Sequence, residues 1–194
     1  LVPAIYLSTV ITHLFGGSAG REGAALQIGG SLGCYIGQLF HLDEKDMRIA
    51  TLCGMSAVFS ALFGTPLTAT IFALEVISVG VFYYSALVPC IVASLAALAI
   101  ANAFGIAPTQ FTFAFAAAPK LLLLRVAALA AVCSLMSILF CVTMHGTERL
   151  FSSRIPNTWL RIAAGGGIVI VLSLLVGPGD YNGAGMDVIT RAIE

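Results

Sequence analysis

The chain has 194 residues, of which 59% are hydrophobic and only 9% charged, and its mean hydropathy is +1.03. Soluble domains carry about a quarter charged residues, so a surface facing water on all sides is excluded and lipid is the solvent to assume. The basic and acidic residues cancel to a formal net charge of zero, which argues against the concentrated basic patch that nucleic acid requires.

In chain order, the apolar stretches run over residues 1–15, 22–40, 49–63, 66–80, 81–104, 121–144 and 160–177. Residues 49–119 contain no full charge except Glu75. As one helix, at about 1.5 Å per residue, that segment would be roughly 100 Å long, over three times a hydrocarbon core of about 30 Å. It must turn back several times, so the sequence predicts an all-α, polytopic membrane protein. Breaks at Gly16, Gly17 and Gly20, at Gly64 and Pro66, and at Gly177, Pro178 and Gly179 separate neighbouring stretches, several of them too short to span a bilayer unaided. Irregular backbone at membrane depth survives only where protein or a water-filled cavity satisfies it, and broken helices of this kind point to a transport site.

The sequence opens on Leu1 in apolar sequence, without a basic n-region or a small-residue cleavage site, and residues 187–194 read as the opening of another helix. That pattern predicts a portion of a longer chain and no signal peptide. Residues 41–48 (HLDEKDMR) read as a solvated loop between two membrane helices, and residues 145–161 as a second charged loop with Trp159 as an interfacial anchor. Residues 105–119, uncharged and holding two prolines, read as a connection between two halves. The five cysteines form no C-x-x-C pair and are expected to pack as small hydrophobes rather than to hold a disulfide or metal framework.

The most informative segment is Gly16 to Gly37, GGSAGREGAALQIGGSLGCYIG. A glycine-rich turn leads into a helix whose first residues are Arg21 and Glu22, which places unpaired amides and the positive dipole end at membrane depth, where an anion can bind. The structural alternative is that Arg21 and Glu22 pair at a headgroup boundary. Gly29, Gly33 and Gly37 share one helix face with Gly30 beside them, spacing that serves close helix packing. Residues 16–20 also match G-x-S-x-G, the strained elbow of serine hydrolases. That motif needs a preceding strand and a partner acid and histidine, whereas the context here is helical and His13, His41 and His145 belong to no partner motif, so an intramembrane serine hydrolase is a remote alternative and Ser18 reads as a polar residue near a helix start. In the second segment, Gly54 to Gly80, the run Phe63-Gly64-Thr65-Pro66 breaks the helix, Pro66 suits the first turn of the next, and Glu75 stands alone at its far end. A membrane carboxylate normally faces a cavity or an interface, and for Glu75 the interface is the simpler reading.

Gly20-Arg21-Glu22-Gly23, followed by Gln27-Ile28-Gly29-Gly30 and by Gly64-Thr65-Pro66-Leu67 leading to Ile71-Phe72-Ala73-Leu74-Glu75, resembles the CLC family of halide channels and proton-coupled exchangers. Gly179-Asp180-Tyr181-Asn182-Gly183-Ala184-Gly185 is compatible with that family's second half. The resemblance implies an inverted-repeat fold of tilted, often broken helices, with residues 1–108 closing the first repeat and 109–194 opening the second. It also implies a homodimer in lipid with one anion pathway per subunit, in a bacterial plasma (inner) membrane, acting as a transporter and not an enzyme, with no cofactor or metal. Glu22 would be the gating and proton-coupling carboxylate, and the backbone around Arg21, Gly23 and Ala24 the outer anion site.

Two positions depart from the family pattern. Ala24 stands where a proline usually follows the glutamate-glycine pair, and Val76 where proton-coupled chloride exchangers carry an inner glutamate. The second disfavours a standard chloride/proton exchanger. Both departures, with the wording GREGAALQ and GTPLTATIFALEV, look most like the family's fluoride-exporting branch and imply fluoride/proton antiport. The alternative is a chloride channel or an atypical chloride/proton exchanger.

Overall fold

The computed structural model describes residues 1–77, 80, 82–109, 121–177 and 182–193. Among these the regular structure is helical throughout, with no strand. The helices are α1 (Val2–Leu14), α2 (Glu22–Leu39), α3 (Glu44–Phe63), α4 (Pro66–Val76), α5 (Leu87–Ala103), α6 (Leu122–Arg154), α7 (Thr158–Val176) and α8 (Met186–Ile193), with a 3-10 turn at Tyr84–Ala86 before α5. Two compact units result, one formed by Leu1–Phe111 with Asp180–Glu194 and the other by Thr112–Gly179.

In the first unit α3 is central and packs against α2, α4 and α5. Its start and end follow from local chemistry. The Asp43 carboxylate accepts the Asp46 N–H at 2.8 Å, capping the helix, and Glu44 and Asp46 lie in its first turn, where negative charge complements the dipole. At the other end Gly64 takes the left-handed conformation, φ 68°, and Pro66 opens α4 as its first residue, where its missing N–H is harmless. The expected break at Gly64 and Pro66 and the expected helix start beside Arg21 are both present.

Two expectations are corrected. Residues 44–48 are the opening turns of α3 rather than a loop, because the Asp43 cap turns the acidic run into a helix start. Most of residues 145–161 likewise belongs to helices, the end of α6 and the beginning of α7, with the break confined to Ile155-Pro156-Asn157. There the Asn157 side chain caps α7 by accepting the Trp159 N–H at 2.9 Å. The connection read into residues 105–119 lies partly outside the described residues.

Three glycines set the α2–α3 contact. A Cβ at Gly29 would meet the Gly54 carbonyl, one at Gly54 the Gly29 carbonyl, and one at Gly33 the Ala50 carbonyl. Backbone therefore lies directly on backbone, the geometry that small residues permit between membrane helices. On the other side of α3 a row of buried hydroxyls joins it to α5, and α5 in turn to α4. Ser56 Oγ donates to the Cys90 carbonyl at 3.2 Å and Ser60 Oγ to the Ser94 carbonyl at 2.8 Å, while the Thr70 and Ser94 hydroxyls lie 3.2 Å apart. Beside them Cys53 and Cys90 place their sulfurs 3.8 Å apart as free thiols, whereas Cys133 and Cys141 are exposed on α6.

The second unit holds α6 and α7. α6 is 33 residues long, about 50 Å at the helical rise and longer than a hydrocarbon core. Together with α3 and the segment Tyr84–Ala103, these two are long and apolar enough to cross a membrane.

Because the Ala50 carbonyl cannot move aside as a side chain can, Gly33→Ala is expected to destabilise the intact protein by about 1–3 kcal/mol. Thermal unfolding in detergent measures it as a lowered midpoint.

Candidate functional site

The site grows from the turn between α1 and α2. At the end of α1 the Gly16 N–H donates to the His13 carbonyl at 3.0 Å and the Gly17 N–H to the Thr12 carbonyl at 2.8 Å. Gly16 has φ 74°, a conformation that costs glycine little. Farther along the turn, the Ala19 N–H donates to the Gly183 carbonyl at 3.3 Å, and Asn182 lies against Gly16. Residues 182–183, which belong to the Gly179–Gly185 motif singled out in the sequence, thus brace the turn; Asp180 and Tyr181 of that motif lie outside the described residues.

α2 then begins at Glu22 with Arg21 as its N-cap, and Arg21 supplies no side-chain cap. The first intrahelical bond of this end runs from the Ala25 N–H to the Arg21 carbonyl, 3.0 Å. The amides of Glu22, Gly23 and Ala24 precede that bond and point outward from the helix end, carrying its partial positive charge.

Successive first-turn residues point different ways. Arg21 and Glu22 line a cleft of about 260 Å³ with Leu62, Phe63, Thr109 and Met186. Ala24 lines a second cavity, shared with His13, Tyr6 and Arg21, and Gly23 a third, beside Gln27. The Thr109 wall of the Glu22 cleft is fixed by its N–H, which donates to the Leu62 carbonyl at the end of α3, 2.7 Å. All four sequence-predicted residues therefore meet at one helix end, and Arg21 bridges two of the three cavities.

The Glu22 side chain folds back over the turn, so that a Cβ at Gly20 would meet its carboxylate oxygen. Gly20 is thus the floor on which the carboxylate rests. Glu75, by contrast, is an exposed residue in the last turn of α4, and Val76 lines the same cavity as Gly23. Among the described residues no strand precedes Ser18, which leaves the hydrolase elbow without its scaffold. His13, which belongs to no partner motif in the sequence, has ring nitrogens 2.8 Å from the Thr9 carbonyl and 3.1 Å from the Ala19 carbonyl. Its position in the last turn of the helix before the glycine run was the available signal for these contacts.

A methyl group at Gly20 displaces a flexible carboxylate and not backbone. Gly20→Ala is therefore expected to leave the unfolding midpoint close to wild type while driving Glu22 into another staggered rotamer. The carboxylate 13C resonance of labelled Glu22 reports the move.

The family model described as voltage gated chloride channel matches residues 1–194. A chloride/fluoride channel protein of Pseudomonas syringae pv. tomato (strain ATCC BAA-871 / DC3000) is 35% identical over 182 residues, 93% of this chain and 40% of that protein. The crystal structure of a CLC-type fluoride/proton antiporter superposes with a TM-score of 0.87 at 32% identity, over 97% of this chain and 48% of that one. The chain thus spans less than half the length of either relative. Both carry fluoride in their descriptions, in line with the fluoride-branch wording of the first glycine block, and the match over every residue places this all-helical membrane chain in the voltage gated chloride channel, or CLC, family.

Proposed function

We propose that the protein moves a small halide anion across the membrane, as a fluoride/proton antiporter in which Glu22 is the gating and proton-coupling carboxylate. The observation that carries this reading is the position of the Glu22 carboxylate. It folds back over Gly20, at the helix end whose N-cap supplies no side-chain cap.

The mechanism follows from competition. An ionised carboxylate and a permeant halide are both anions that the amide-rich helix end attracts, so each excludes the other. Protonation neutralises Glu22 and withdraws it as a competitor, freeing the amides around Arg21, Gly23 and Ala24 for the halide. Re-ionisation returns it, so one residue links proton and anion movements. The alternative, a chloride channel, uses the same competition as a gate without stoichiometric proton transfer. Val76, at the position where chloride/proton exchangers carry an inner glutamate, supports an arrangement with Glu22 as the single coupling carboxylate. The fluoride/proton antiporter among the matched structures favours the first reading over the second.

Glu22→Gln separates the two. Glutamine keeps the size of the side chain and cannot ionise. Measured in liposomes holding the intact protein, with fluoride and chloride in parallel and a pH probe, the variant is expected to lose proton movement and to slow or stop fluoride movement. Persistent chloride conduction with weakened pH dependence would instead support the channel. Proton-coupled transport of unchanged rate and stoichiometry would remove Glu22 from the mechanism.

The proposal includes a homodimer embedded in a bacterial plasma membrane. Val88, Val92 and Leu95 are exposed at helical spacing along α5, an apolar face suited to a second copy. Val92→Trp is expected to raise the monomer fraction in detergent or bilayer, measured by cross-linking. An unchanged fraction would assign this face to lipid.

A further inference from the structure

His13 connects the end of α1 to the turn that seats Glu22. Its Nδ1 lies 2.8 Å from the Thr9 carbonyl and its Nε2 lies 3.1 Å from the Ala19 carbonyl, so both ring nitrogens face acceptors. A neutral imidazole carries one N–H: it can donate to one of these carbonyls and must turn a lone pair toward the other. The imidazolium donates to both. It also stands in the last turn of α1, where a cation complements the carbonyl end of the helix.

The Ala19 carbonyl immediately precedes Gly20, the residue beneath the Glu22 carboxylate. We propose that His13 is a proton-dependent positioning residue, its imidazolium strapping the 15–21 turn to α1 so that the Glu22 carboxylate keeps its seat beside the first-turn amides of α2. This rests on the reading of Glu22 as the coupling carboxylate and adds a second titrating group to the same turn. When His13 loses its proton, one of the two bonds is lost in either tautomer, and the turn that carries Glu22 is held less firmly. Transport is therefore fastest while His13 is charged.

The groups that face His13 are few. Tyr6 from its own helix and Arg21 from the start of α2 line the same cavity, and no carboxylate is among the described residues lining it. Glu22 opens onto the other cleft, and α8, which faces that cleft through Met186 and Ile189, carries Asp187 and Arg191. The Asn182–Gly183 brace adds no charge.

The test uses the intact protein in liposomes, with fluoride-driven halide and proton movement measured at equal pH on both faces over about pH 5 to 8.5, the range in which an imidazole changes charge. Wild type is expected to slow as pH rises through this range. His13→Phe keeps a ring and removes both donors. It is expected to be about two- to tenfold slower at acid pH, the effect of one or two lost hydrogen bonds, and to lose this part of the pH dependence. His13→Arg, a donor that stays charged, is expected to restore the rate without restoring that part of the pH dependence. A Phe variant with the wild-type rate and profile would overturn the proposal.

If the Phe variant does not assemble, the wild-type ring itself decides. In 15N-histidine spectra of the protein in bilayers, with the His13 signals assigned by their absence from His13→Arg, both ring nitrogens should be protonated and hydrogen-bonded at acid pH. An unprotonated ring nitrogen there would also overturn it. Glu22→Gln, run alongside, keeps the two readings apart. Loss of proton coupling in Glu22→Gln with wild-type behaviour in His13→Phe removes His13 alone, whereas unchanged coupling in Glu22→Gln removes the Glu22 reading and the positioning role that rests on it.

Discussion

A helix that begins within so apolar a chain presents amides that lipid cannot satisfy, and the first unit is organised around that constraint. The Glu22, Gly23 and Ala24 amides precede the first intrahelical bond of α2, and the N-cap Arg21 covers none of them with its side chain. An unpaired amide in hydrocarbon costs several kcal/mol, so such an end persists where water, a carboxylate or an anion reaches it. The cleft beside Arg21 and Glu22 provides that access, and the carboxylate lying back over Gly20 supplies a charge of the right sign.

Keeping this end in place is the work of the packing behind it. Gly29, Gly33 and Gly54 let α2 and α3 meet backbone to backbone, a contact that fixes register because any larger side chain there would force the helices apart. The Ser56 and Ser60 hydroxyls then tie α3 to α5, and the Thr70 and Ser94 hydroxyls tie α4 to α5, through bonds of 2.8 to 3.2 Å. Among the described residues no buried side-chain polar atom lacks a partner, which is what a polar row between membrane helices must achieve to be stabilising. Such bonds are individually modest, about 0.6 kcal/mol on average between membrane helices. Their value here is geometric, since hydroxyl-to-carbonyl bonds fix the helices at one separation where apolar side chains would tolerate several.

Much of this was legible in the sequence, and the parts that were not share a cause. Helix breaks at Gly64-Thr65-Pro66 and the helix start beside Arg21 rest on strong local preferences: left-handed glycine, proline at a first turn, glycine clusters. The four-residue glycine spacing on α2 likewise exposed its packing face. Charge was a poorer guide: residues 44–48 and much of 145–161 read as loops by polarity, yet a helix emerging from a membrane keeps its period while its side chains become polar, and the Asp43 and Asn157 caps mark the true ends. Ser56 and Ser60 stand four apart on one face of α3, a signal for a hydroxyl row, but their partners on α5 are 34 residues away, which no local pattern shows. The contact of His13 with Ala19 escaped for the same reason, because it depends on how the turn doubles back.

The departures at Ala24 and Val76 raise the demands on this turn. With valine where an inner glutamate would stand, the proposed cycle assigns both competition with the anion and carriage of the proton to Glu22, so coupling depends on one carboxylate reaching one place reproducibly. Alanine in place of proline at the first turn of α2 gives up a residue whose fixed φ would stiffen the helix start. Other restraints must then hold the turn, and those present are its bonds to α1, the Asn182–Gly183 brace and the bare surface of Gly20. None of them is covalent, and each is weak enough to break at modest cost. The proposed gate needs that balance, because a carboxylate that alternates between two positions cannot be seated by an interaction stronger than the protonation that releases it.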